Sequence, residues 1–233
     1  MTVTLILIAA LATVSGVWLL RHGIMTRPWL ETGLPEEAHT APLPAAKIGL
    51  AVFIAVAATL MVLLLSAYSM RMQMADWSPP PRPMLLWVNT GVLVVASIAL
   101  HRAARAAKGG DRAEVGSWLI AGGAAGLVFV VGQLLAWREL AIAGYLPAGN
   151  PADAFFYLIT AVHGLHVLGG LAAVGLAAAK LRDGVRSERL RLSVELCATY
   201  WHFLLVAWLV LFGTLAFSPS FDWLVALCTA PFR

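Results

Sequence analysis

Apolar residues in this chain fall into long runs separated by short polar stretches. Six runs, roughly 3–20, 48–68, 84–100, 115–137, 154–179 and 194–217, approach or exceed the span of a bilayer, which takes about 20 mostly apolar residues. Each run is apolar nearly all round rather than alternating, so helices are predicted and β-barrel strands are not. The expected fold is all-α: a polytopic membrane helix bundle of about six transmembrane helices.

Basic residues orient these spans. The loops 21–47, 101–114 and 180–193 carry three, four and five Lys and Arg, twelve in all, against four on the opposite side. Such a bias marks the cytoplasmic face, so both termini are expected outside. The first run lacks a positive leading segment, and Arg21 and Arg27 follow it, so it reads as a signal-anchor helix. The expected organisation is a signal-anchor helix at 1–22, a cytoplasmic linker at 23–45, a five-helix core at 46–217 and an outer-surface tail at 218–233. Trp77, Trp87, Trp118 and Trp137 fall at or near span ends, as an interfacial belt would.

Composition agrees. Of 233 residues, 61% are hydrophobic and 12% charged, whereas soluble domains carry about 25% charged residues. An ordinary cytosolic enzyme, a disordered chain and a fibrous repeat are excluded. The net charge of +4 belongs to the loops and implies no nucleic-acid partner. The two cysteines, Cys197 and Cys228, make neither a metal pattern nor a disulfide framework. Asn150 is placed to cap the fifth span, with Pro151 at N1 and Asp153 at N3. Gly122 and Gly126 form a GxxxG step, and Gly169, Gly170 and Gly175 thin the fifth span; these read as packing sites.

Polar groups within hydrocarbon are expensive and need partners. Tyr157, Thr160, His163 and His166 form a drifting stripe on the fifth span. Glu195, Thr199 and His202 share one face of the sixth, beside Tyr200 and Trp201. The short connection makes these spans antiparallel neighbours, so a polar seam between them is expected. Glu195 lies near the cytoplasmic end, where water or a basic loop residue can stabilise its charge. Three chemistries fit: hydrogen bonds that fix packing, a proton- or ion-handling network, and haem ligation across helices. A zinc-hydrolase HExxH pair is absent, as are Ser and Cys nucleophile arrangements. His22, His39 and His101 fall in or beside loops and are expected to be solvated.

These same residues carry a resemblance. Glu195-Leu-Cys197-Ala-Thr199-Tyr200-Trp201-His202-Phe203 resembles the last helix of the haem–copper oxidase subunit III family. The stretch 155–167, with Thr160, His163, Gly164 and His166, looks like its Thr-Gly-x-His-Gly-x-His-Val helix. Leu86-Trp87-Val88-Asn89-Thr90 and Gly132-Gln133, followed by Trp137, are similar to two further family stretches, in matching order. The resemblance covers about residues 46–217.

It implies an accessory, non-catalytic subunit of a respiratory oxidase, such as cytochrome c oxidase subunit 3 of the short bacterial type with an extra N-terminal helix. Such a subunit binds no haem and no copper, which belong to partner subunits. It implies a bacterial inner membrane location and direct contact with subunit I, with subunit II and a small subunit in the same complex. It also implies bound phospholipid and support for proton uptake and oxygen access. Asn89, Gln133, Tyr157, His163, His166, Glu195, Thr199, Trp201 and His202 are the expected polar and structural residues, with no catalytic, cofactor or metal site. The chain departs from many members in lacking an acid within 48–68 and in having Leu205 where they carry aspartate, so a proton role resting on those carboxylates does not transfer. An accessory subunit of a quinol oxidase or nitric oxide reductase, and an independent membrane haem- or ion-binding protein, are the alternatives.

Overall fold

The computed structural model describes residues 45–72, 74–81 and 83–217. The first apolar run, nearly all of the linker and the C-terminal tail lie outside the described residues, as do His22 and His39. Five helices follow in order: α1 (Ala45–Arg71), α2 (Leu85–Gly109), α3 (Arg112–Ile142), α4 (Pro151–Arg182) and α5 (Ser187–Phe217). All five are long and apolar enough to cross a membrane.

The helices outrun the apolar stretches that predict them. At about 1.5 Å per residue, the 32-residue α4 is about 48 Å long, against a hydrocarbon core of about 30 Å. The expected loop 101–114 shrinks to Gly110 and Asp111, so Arg102, Arg105 and Lys108 ride on the last turns of α2. Hydropathy marks where hydrocarbon ends, but Ala, Arg and Lys are strong helix formers and continue the helix into the headgroups. What stops α2 is Gly110 at φ 81°, a left-handed conformation that glycine adopts without steric cost.

Caps define the starts. Asp111 accepts a bond from the Glu114 amide at 3.0 Å. Asn150 accepts from the Ala152 amide at 2.9 Å, with Pro151 opening the helix. The Asn150 amide also donates to Ser78 O at 2.6 Å, tying the connection after α1 to the start of α4. At the opposite end, Arg112 donates to Val185 O at 2.6 Å, joining the two basic turns. Arg102 lies over the Trp118 ring at 5.2 Å, and Trp118 donates to Glu114.

Helices α2 to α5 form the main core, and α1 packs chiefly on α5 and α4. The α2–α3 contact is close because Gly122 has no side chain: a Cβ there would fall 2.7 Å from Leu100 Cγ. Gly126 and Gly170 make room for the Trp201 ring in the same way, whereas Gly169 and Gly175 have nothing within 4 Å among the described residues. Helix α1 buries only Ala57, Met61 and Tyr68. Met61 and Tyr68 form a second small core with Ile159 and Leu211. Ile48, Val52, Phe53, Val56, Leu60 and Leu63 stay exposed, as on a surface that faces lipid or another apolar partner.

Candidate functional site

The polar side chains fall into separate groups. In the first half of α4, Thr160 Oγ1 accepts from the Trp137 indole at 3.1 Å and donates to Phe156 O at 2.7 Å. Tyr157 Oη lies 3.0 Å from Tyr145 O and 3.2 Å from Trp137 O, a shared bond that ties α4 to the end of α3. On the other side of the core, Trp208 donates to Thr90 Oγ1 at 2.9 Å. Asn89 and Gln133 are also buried. Asn89 lies against Gly132, whose missing Cβ leaves it room. Its amide nitrogen and both amide atoms of Gln133 bond to nothing among the described residues.

His163 occupies the centre and is 0% exposed. Its Nε2 donates to Leu204 O at 3.1 Å, linking α4 to α5. The ring sits against Phe129 at 5.7 Å and Trp208 at 5.0 Å between centroids. Its buried Nδ1 has no partner among the described residues.

His166, one turn further along, points elsewhere. Its Nδ1 donates to Val162 O on its own helix at 2.7 Å, and Phe53 of α1 lies 6.2 Å away between ring centroids. Tyr200 donates to His166 O at 3.1 Å. Two bonds therefore join α4 and α5 in this region, both ending on backbone carbonyls.

His202 turns away from α4 altogether. Its ring meets α2, with Nδ1 2.6 Å from Ser97 Oγ and Nε2 3.3 Å from His101 Nδ1. The expected seam is therefore split: the face carrying Glu195, Thr199 and His202 looks outward between α1 and α2. Glu195 pairs with Lys47 of α1 at 3.2 Å. Thr199 is exposed and donates to Glu195 O at 3.0 Å. Trp201, on the opposite face, is buried in the glycine cradle, and its indole nitrogen has no partner among the described residues.

His101 is the residue that sequence reasoning misplaced. It lies inside α2 rather than beside a loop, and it contacts another histidine. Ser97 and His101 are four apart and so share a helix face. That spacing was the available signal, hidden because the apolar run ends at residue 100. Among the described residues, no group of three or more His, Cys, Asp or Glu is placed to hold a metal ion. The arrangement supports interhelical bonding and packing.

The family model described as cytochrome c oxidase subunit III matches residues 5–219, a stretch that begins well before the motifs at 86–203. The chain is 30% identical to a cytochrome c oxidase subunit 3 of Synechocystis, over 70% of this chain and 72% of that protein. It is 31% identical to one of Thermostichus vulcanus, over 75% and 88%. A probable cytochrome c oxidase subunit 3 of Mycobacterium bovis is 30% identical, over 61% and 71%. With the match running through all five described helices, the chain belongs to the cytochrome c oxidase subunit III family.

Proposed function

We propose that this chain is the accessory, non-catalytic subunit III of a respiratory haem–copper terminal oxidase, a cytochrome c oxidase. The observation that carries this reading is the family match over 5–219. The geometry supports it, because the interhelical bonds of Tyr200, His163, Trp137 and Trp208 end on backbone carbonyls and threonine hydroxyls. In this reading the chain crosses a bacterial inner membrane six times with both termini outside, residues 3–20 supplying the first span. It packs directly against subunit I, with subunit II and a small subunit in the same complex. Haem and copper reside in those partners. The open flank of α1 and the exposed sides of α2 to α5 offer the apolar area for subunit I and phospholipid. By holding subunit I in place, the chain sustains proton uptake and oxygen access during reduction of oxygen to water.

Affinity purification of the full chain from its own membranes tests this. Recovery of a haem–copper subunit I, seen by its haem spectrum and by mass spectrometry, is expected. A preparation with no such subunit and no oxidase activity overturns it.

A further inference from the structure

Where α2 and α5 meet, His101 and His202 face each other with Nδ1 of the first 3.3 Å from Nε2 of the second. Their ring centroids are 5.5 Å apart. Behind them Ser97 is buried, its Oγ 2.6 Å from His202 Nδ1. The two helices are packed together, so the backbones are fixed and only the rings need adjust. His101 directly follows the apolar run that ends at residue 100, and His202 lies within the run 194–217. Both rings belong to exposed residues.

We propose that His101 and His202 form a two-histidine site for a divalent transition-metal ion, with zinc as the type ion. Zinc binds imidazole nitrogen at about 2.0–2.1 Å with tetrahedral angles, which sets two donors about 3.3 Å apart. That is the separation already present. A ligating histidine also keeps its second ring nitrogen in a hydrogen bond that fixes the tautomer. Ser97 supplies this: when His202 Nδ1–H donates to Ser97 Oγ, Nε2 carries the lone pair, and Nε2 is the atom aimed at His101. On binding, His101 moves its proton from Nδ1 to Nε2, so both facing nitrogens present lone pairs to the ion. Imidazole suits zinc, copper and nickel, whereas calcium and magnesium want oxygen. Among the described residues no third His, Cys, Asp or Glu completes the set, so water fills the remaining positions. The ion would clamp α2 to α5. This site is independent of the chain's place in an oxidase.

The test uses the full-length, tag-free chain in detergent, with Co(II) and Zn(II) as probes. The wild type is expected to show Co(II) ligand-field bands that Zn(II) abolishes, and Zn(II) is expected to raise its unfolding temperature. His101→Gln, at an exposed position, should weaken binding about tenfold or more while the helical circular dichroism stays wild type. Ser97→Ala should weaken it by about ten- to a hundredfold by freeing the His202 ring. Unchanged affinity in a folded His101→Gln protein, or no binding by a folded wild type, overturns the proposal and leaves the pair as a hydrogen-bonded packing contact. His202→Gln repeats the test from the second helix.

Discussion

Lys47 and Glu195, 148 positions apart in the chain, form an ion pair at 3.2 Å that ties the start of α1 to α5. Their side chains are 37% and 33% exposed, so solvent screens the attraction. A double-mutant cycle with Lys47→Met and Glu195→Gln should return a coupling of about 0.2–1 kcal/mol, the range of exposed pairs. Faster hydrogen exchange in α1 should accompany it. A coupling of several kcal/mol would mean the pair is shielded from water.

The glycines make a graded prediction. Gly122→Ala forces a Cβ to within 2.7 Å of Leu100 Cγ, whereas Gly164 has nothing within 4 Å. Overpacking costs about 1–3 kcal/mol, so Gly122→Ala should lower stability by that amount. Gly164→Ala should be neutral or raise stability by up to about 1 kcal/mol through helix propensity. Thermal unfolding of the two purified variants distinguishes them; equal effects would refute the close approach of α2 and α3.

His163→Leu removes the bond to Leu204 O and keeps an apolar side chain of similar bulk among Phe129 and Trp208. The expected loss is about 0.6–1.5 kcal/mol, typical of bonds between membrane helices. Within an oxidase complex, the haem spectrum of subunit I should stay normal. Loss of haem absorbance would assign His163 more than packing.

Arg71 and Asp76 close the connection after α1, with Arg71 Nη1 2.7 Å from Asp76 Oδ1. The Arg71 hydrogen bond holds the Asp76 carboxyl below its usual range. A carboxyl depressed on folding contributes stability above its unfolded value, about 3.9, and loses it as pH falls through the folded value. Proteolytic nicking of residues 72–84 should therefore stay constant between neutral and mildly acidic pH and rise only in strong acid. Asp76→Asn should raise it at neutral pH.

The helices of the described chain were legible in the sequence, as was the Asn150 cap, because run length and cap chemistry are local. Helix rotation was not. A helix that is apolar all round carries no periodic mark of which side faces inward, so nothing local showed that His163 points to the core and His202 to α2. Rotation follows from where backbones can approach, at Gly122, Gly126 and Gly170. The ends of α2 and α3 were hidden for another reason: Arg and Lys suit a loop and a helical turn at the headgroups equally well. For Glu195 the sequence left water or a basic loop residue open, and the choice of Lys47 depends on the fold bringing α1 beside α5.

The thin attachment of α1 sets an order of assembly. Its packing partners are chiefly α4 and α5, which the ribosome makes after it. As the chain emerges, α2 and α3 can pair across Gly122 at once, whereas the partners of α1 among the described helices are made last. Its capture is thus a closing step, and a nascent chain arrested before residue 187 leaves α1 without its main partner and open to the quality-control proteases of the membrane.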